Sequence, residues 1–298
     1  MMGDTIRSFD NFVVIDWSGE RVAKPKGLAV AFATRGQSAP SLLTPQGGWS
    51  RTAILQWLLS HAEAGTSMLV GLDLSPGLPF ADRNAFFPGW DDSPLDAREL
   101  WQVVDEVCCN DDHLSANSII HHAEMQRHFR HQSGRETICG DQFEPGRGRL
   151  RVCEQAQKAM GLVPSSCFNL VGAAQVGKSS LTGMRVLNRL RGAIPVWPFD
   201  PMPPSGPVIV EIYTSLAARE AGVPKGRSKI FDPDTLDKVL AELGSAPHSP
   251  ISRYTDHATD ALLTAAWLRK VHVEPARWAP QGLTPDIART EGWTFGAF

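Results

Sequence analysis

The sequence lacks the features that would assign it to a membrane, to a disulfide framework or to a zinc site. No apolar run approaches the roughly 18 residues that a membrane helix needs, and no basic segment followed by an apolar one stands at the start. The five cysteines form no C-x-x-C pair, and Cys108 and Cys109 are adjacent, too close for an ordinary structural disulfide. We therefore expect reduced thiols, a cytoplasmic protein and no membrane partner.

The charge of the chain is unevenly distributed. The formal net charge is −3, in a sequence that is otherwise ordinary for a globular protein, with 42% hydrophobic and 20% charged residues. Residues 127–191 nevertheless hold eleven Lys and Arg against four acids, a local net charge of +7. Such a basic segment indicates a surface for a polyanion, or alternatively an internal balance against the acidic stretch 91–112. The sequence leaves both alternatives open.

The pattern of apolar residues predicts an α/β fold in which a mixed sheet is flanked by helices. Predicted strands lie at 12–16, 27–35, 41–45, 67–74, 167–171 and 207–213. Predicted helices lie at 52–65, 95–109, 116–131, 180–191, 214–222, 232–244 and 254–270. We expect one domain over 1–298, with a core at about 10–75 and 207–272. Residues 76–206 would form an inserted, mainly helical cap, and 273–298 a C-terminal tail.

Carboxylates recur inside or at the end of the predicted strands. Asp16, Asp73 and Glu211 each stand in an apolar run, and Asp256 and Asp260 are four apart on one helix and so share a face. Burial of a lone carboxylate is costly, and several together repel one another unless cations lie among them. Oxygen ligands of this kind are what Mg²⁺ or Mn²⁺ prefers. The pattern therefore predicts a metal site of the kind that supports phosphoryl transfer.

Short motifs along most of the chain carry a resemblance to a known family. They are VVIDWSG (13–19), GLDLSPGLPF (71–80), LRVCE (150–154), GAAQVGKSSLTGMRVL (172–187), VIVEIYTS (208–215) and DHATDALLTAAW (256–267). In these motifs the chain resembles the domain-of-unknown-function family of predicted nucleases with a ribonuclease H fold. The closing D-H-x-x-D-A is also similar to the last helix of Holliday-junction resolvases. The chain departs from the family at Thr214, where proline is usual, and at Lys178.

The resemblance implies a ribonuclease H-like sheet and a nuclease or other phosphodiesterase dependent on Mg²⁺ or Mn²⁺. By that resemblance Asp16 and Asp260 would be metal ligands, with Asp73 and Asp256 as participants in the same site. His257 would be a ligand or a proton-transfer group, and Glu211 matches the family's acidic strand. The implied partner is a nucleic acid or a nucleotide-like substrate.

The stretch GAAQVGKS at 172–179 matches the P-loop pattern G-x-x-x-x-G-K-[ST] without a mismatch. An NTPase would also need parallel strands after the loop, one of them ending in the acid that holds Mg²⁺, and only one convincing strand follows. We therefore favour a glycine turn into a helix whose N-terminus attracts a phosphate of the substrate. The residues assigned to this phosphate contact are Gly172, Gly177, Lys178, Ser179, Arg147, Arg149 and Arg151.

Two alternatives to the nuclease stay open from the sequence. A P-loop nucleotide-binding enzyme would bind ATP or GTP through Lys178. A catalytically silent ribonuclease H-like binding module would have a cleft whose acids do not converge. The glycine-rich stretch can also be a connection without any ligand.

Overall fold

The structure, a computed structural model, describes residues 6–172, 175–224 and 229–298. It contains a six-stranded mixed sheet in the order β3-β2-β1-β4-β8-β7. These strands are β1 (Asn11–Asp16), β2 (Ala29–Thr34), β3 (Ser41–Leu42), β4 (Met68–Asp73), β7 (Val196–Trp197) and β8 (Pro207–Glu211). β1 pairs antiparallel with β2 and parallel with β4, and the parallel pairing continues through β8 to β7. The predicted α/β class with a mixed, helix-flanked sheet is confirmed.

Helices cover both faces of this sheet. They are α1 (Arg51–Glu63), α2 (Ala97–Val107), α3 (Val152–Ala159), α4 (Val176–Arg189), α5 (Thr214–Glu220), α6 (Pro233–Glu242), α7 (Asp256–Val271), α8 (Pro275–Trp278) and α9 (Pro285–Thr290). Side chains accept hydrogen bonds from the first free N–H groups of several helices, as Ser50 does for α1 and Thr255 for α7. In the described ranges, no helix combines the length and the apolar character needed to cross a membrane.

Alternation of side chains along the strands separates the interior into two layers. Val13 and Ile15 of β1 belong to the layer that holds α1, α2 and α4. Phe12 and Val14 belong to the layer that holds α5, α6 and α7. Because successive side chains of a strand point to opposite faces, Asp16 continues the second series and faces α7.

The region between β4 and β8 packs on the sheet and contributes to it. α2 and α4 cover one face, and Val196–Trp197 forms an edge strand next to β8. A small antiparallel hairpin, β5 (Arg130–Ser133) with β6 (Glu136–Cys139), lies outside the main sheet. The division of the chain into core, insertion and tail stays a prediction.

Two predicted elements of this region are wrong. The predicted helix 116–131 is replaced by two 3₁₀ turns, Ser118–His121 and Met125–His128. Ile119 and Met125 are both fully buried although they stand six apart, which one straight helix would place on different faces. The predicted strand 167–171 makes only one isolated bridge, from Asn169 to Arg130.

The C-terminal tail closes one of the two layers. Trp293 and Phe295 are buried in the layer of α7, and the Phe295 N–H donates to the Glu211 carbonyl at 2.9 Å. A parallel bridge joins Thr294 to Glu211, so the tail pairs with the last residue of β8. These aromatic side chains therefore seal the core.

We predict that Trp293→Ala lowers the free energy of unfolding by about 3–5 kcal/mol, because it empties a fully packed site. Phe298→Ala is the matched control in the same tail. Phe298 is 49% exposed, so its truncation should cost less than about 1 kcal/mol. Urea denaturation of the three proteins measures both values, and equal losses in the two variants would contradict the packing role of the tail.

Candidate active site

Two predicted acids meet where parallel strands end side by side. Asp16 is the last residue of β1 and Asp73 the last residue of β4, and the two are direct partners in the register of the sheet. Parallel strands end at the same edge, and matched register places both side chains on the same face. That face is covered by α7, which packs across β1 and β2. Asp260, in the second turn of α7, is thereby brought to the two strand ends.

The charges of the three carboxylates influence one another. Burial raises the pKa of Asp73 well above its usual range, and the charges of Asp16 and Asp260 raise it further. Burial, then the charge of Asp16, raises the pKa of Asp260 to about 7. The pKa of Asp16 is also raised by burial, against the opposing effect of His257. The acids therefore carry a mutual repulsion that a cation would relieve.

His257 and Asp256 stand at the first turn of α7 beside this cluster. The Nδ1 atom of His257 is 3.3 Å from Oδ2 of Asp16, and this hydrogen bond raises the pKa of the imidazole. The His257 side chain is 48% exposed. Asp256 forms an ion pair with Lys229 through Oδ2, whereas its buried Oδ1 has no hydrogen-bond partner in the part of the chain that the structure describes.

The donor set fits a hard divalent cation in its chemistry. Carboxylate oxygens are the ligands that Mg²⁺ and Mn²⁺ prefer, and the unpartnered Oδ1 of Asp256 is one more such oxygen. Within residues 6–172, 175–224 and 229–298, however, no group of three or more His, Cys, Asp or Glu side chains stands close enough together to hold a metal. Carboxylates around a shared ion would therefore have to rotate towards it.

Glu211 lies on the other face of the sheet. It is paired in register with Leu72, whose side chain belongs to the layer of α2 and α4, so the alternation places Glu211 opposite to Asp73. Its carboxylate forms a two-pronged ion pair with the fully buried Arg151, at 2.6 and 2.8 Å. Thr294 donates to the same carboxylate at 2.6 Å. The sequence could not foresee this partner, because Arg151 is sixty residues away along the chain.

A cavity of about 170 Å³ connects Asp73 with the ion pair. Its walls come from the ends of β1, β4 and β8 and from α3 and α4. They are formed by Trp17, Asp73, Leu74, Ser75, Arg151, Glu154, Gln157, Pro164, Ser165, Val176, Ser179, Glu211, Ile212 and Tyr213. Trp17, Ser75 and Tyr213 were not singled out in the sequence, although each directly follows or lies two residues beyond a predicted acid.

Part of the basic segment 127–191 forms ion pairs within the molecule. Arg149 is buried and its guanidinium binds Asp82 at 2.6 Å and three backbone carbonyls. Arg185 and Arg189 both bind Asp105, which belongs to the acidic stretch 91–112. These pairs are the internal balance that was the alternative to a polyanion surface. Arg147 instead lines an open groove next to the cavity.

The P-loop pattern lies at the start of α4. Gly172 has a positive φ of 78°, and positions 173–174 lie outside the described residues. Gly177 is inside the helix, where a Cβ would collide with the carbonyl oxygen of Cys167. Lys178 and Ser179 belong to the first turn, Ser179 lining the cavity described above. The segment before the loop is not a strand of the sheet, and in this the structure departs from a P-loop domain.

No protein-family model, no curated protein and no solved structure matches this chain.

We predict that Asp260→Asn stabilises the metal-free protein at pH 8 and leaves its stability unchanged at pH 4. The folded pKa of about 7 exceeds the unfolded value of about 3.9, so the folded state retains a proton that the unfolded state loses. The free energy of unfolding of the wild type therefore falls as pH rises through this window. Chemical denaturation in chelator at both pH values tests this, and a variant less stable than the wild type at pH 8 would contradict it.

We also predict that Arg151→Met lowers the free energy of unfolding by about 3–5 kcal/mol, because the buried Glu154 and Glu211 lose their counter-charge. The double variant Arg151→Met/Glu211→Gln should recover part of this loss. A double-mutant cycle in denaturant measures the coupling. A cost of Arg151→Met below about 1 kcal/mol would show that the ion pair is not needed.

Proposed function

We propose that the protein is a metal-dependent phosphodiesterase of ribonuclease H-like type, acting as a nuclease on a nucleic acid. The observation that carries this proposal is the group Asp16, Asp73 and Asp260. Two of these acids end neighbouring parallel strands, the third projects from the helix across them, and burial with mutual repulsion raises their pKa values. Acids arranged at such cost are typical of functional sites.

The order of the elements supports the ribonuclease H-like assignment. A three-stranded antiparallel unit, β1 to β3, is extended on the β1 side by the parallel strands β4 and β8. Acids at the first strand, the fourth strand and the last long helix are what the resemblance in the sequence motifs implies. Here these positions are Asp16, Asp73 and the Asp256–Asp260 pair.

The residues that would hold Mg²⁺ or Mn²⁺ are Asp16, Asp73 and Asp260, with Asp256 joining them if Lys229 is displaced. When bound, the metal would supply Lewis-acid stabilisation of the charge that develops on the phosphoryl group. His257 has its Nδ1 on Asp16, which leaves Nε2 of this half-exposed side chain able to accept or donate a proton at the substrate. The backbone N–H of Thr214 holds the carboxylate of Asp73 in place.

A catalytically silent binding module is the second candidate. One observation favours it: no metal-holding group of side chains is assembled in the described part of the chain. The same acids would then be a structural cluster that never binds an ion. The P-loop alternative has no comparable support, because the helix that carries Lys178 does not follow a strand of the sheet.

Calorimetric titration with Mn²⁺ separates the two candidates. We predict binding by the wild type and at least tenfold weaker binding by Asp16→Asn, because the variant loses a ligand charge at the shared site. Asp234→Asn is the matched control, since Asp234 is an exposed acid on α6 that lies in none of the contacts described here. Binding equal in all three proteins would place the ion elsewhere.

Cleavage is the decisive readout. Fluorescent single-stranded, double-stranded and branched DNA and RNA should be incubated with the wild type, Asp16→Asn and Asp234→Asn in Mn²⁺ or Mg²⁺. We expect cleavage that chelator and Asp16→Asn both abolish and that Asp234→Asn leaves intact. Metal binding at Asp16 without cleavage of any of these substrates would overturn the nuclease and favour the binding module.

A further inference from the structure

A second cleft lies on the other side of the first turn of α4. It has a volume of about 50 Å³. Its walls are formed by Gly19, Arg21, Ala116, Asn117, Ile120, His131, Gln132, Leu170, Lys178 and Thr182. Two of these side chains are cationic and none is acidic, so the cleft carries a net positive charge.

The two cations of the cleft differ from the paired arginines of the region. Arg149 forms an ion pair with Asp82, and Arg185 and Arg189 share Asp105. Arg21 and Lys178 form no ion pair within the described ranges, and the charge of Arg21 adds to burial in lowering the pKa of Lys178. Two like charges held together without an acid are stabilised when an anion lies between them.

A third polar group of the cleft is a buried imidazole. His131 is 7% exposed, and its Nδ1 is 3.5 Å from the carbonyl of Gln132, at the limit of a hydrogen bond. Its ring adds nitrogen atoms to the wall of the cleft beside Arg21 and Lys178.

We propose that this cleft binds one phosphate group of a nucleotide or nucleic-acid ligand. Arg21 supplies a planar fork of donors and Lys178 a compact charge, the two side chains that proteins use most for phosphate. The amides of Asn117 and Gln132 complete a polar wall. The cleft is small, which favours a compact group such as a single phosphate.

The position of the cleft connects it with the acids. Gly19, three residues after Asp16, lies directly against Lys178, so closely that a Cβ at Gly19 would collide with it. Val176 and Ser179 of the same helical turn line the cavity that contains Asp73. A phosphate bound here would therefore be held across one turn of α4 from the carboxylates. Its role as a substrate subsite rests on the proposed nuclease, whereas phosphate binding itself does not.

The test is calorimetric titration of inorganic phosphate into the full chain, in the wild type, Arg21→Gln and Lys178→Gln. Lys238→Gln is the matched control, because Lys238 is an exposed cation of α6 in the opposite layer. We expect each of the first two variants to bind phosphate about tenfold or more weakly and the control to bind like the wild type. Unchanged affinity in both variants, or an equal loss in Lys238→Gln, would overturn the proposal.

A single-stranded oligonucleotide with and without a 5′-phosphate identifies the source of the phosphate. If the wild type binds the 5′-phosphorylated strand more tightly than the unphosphorylated one, and Lys178→Gln binds both equally, the cleft binds the end of a nucleic acid. If Lys178 is needed for binding of inorganic phosphate but the two strands bind the wild type equally, the cleft binds a free nucleotide or phosphate.

The variant Asp260→Asn separates this proposal from the nuclease. It should abolish cleavage and retain the affinity for inorganic phosphate, because Asp260 lies outside the cleft. If the wild type cleaves none of the substrates but binds phosphate in a Lys178-dependent way, the nuclease proposal alone is refuted. If the wild type cleaves a substrate but its phosphate affinity does not depend on Arg21 or Lys178, only the proposal that this cleft binds phosphate is refuted.

Discussion

The buried guanidinium of Arg151 is the interaction on which the edge of the sheet depends. It joins Glu211 at the end of β8, Glu154 in α3, Ser75 just beyond β4 and the Glu291 carbonyl of the tail. Each of these groups would be costly to bury alone. A buried ion pair is tolerated only when its remaining hydrogen-bond donors and acceptors are also satisfied. Arg151 satisfies four segments of the chain at once and so fixes their relative positions.

The position of Asp73 follows from this constraint. Arg151 binds Ser75, two residues beyond Asp73, and the strand that carries Glu211 is the direct neighbour of β4. The tail reinforces the arrangement, because Glu291 accepts hydrogen bonds from the N–H groups of Phe80 and Val152. Strand ends held from one face in this way can carry repelling acids on the other face without moving apart.

Ion pairing is uneven across this molecule. Several buried arginines are paired with carboxylates, as Arg149 is with Asp82 and Arg185 with Asp105. Two groups of like charge lie on either side of the first turn of α4: the carboxylates of Asp16, Asp73 and Asp260, and the cations Arg21 and Lys178. Charges of opposite sign at neighbouring clefts are what a ligand with a metal-bridged phosphate and a second phosphate would match.

The local pattern of the sequence determined the apolar strands, the amphipathic helices and the acids at the ends of β1 and β4, because these depend on side-chain periodicity over a few residues. It also placed Asp256 and Asp260 on one helical face. Only the tertiary structure decided which groups Glu211 and the arginines pair with, since their partners stand tens of residues away. The register of β8 turns Glu211 from the acids towards Arg151, and Asp105 neutralises Arg185. Long-range pairing of charge is not written in any local pattern, because it depends on which segments the folded sheet brings together.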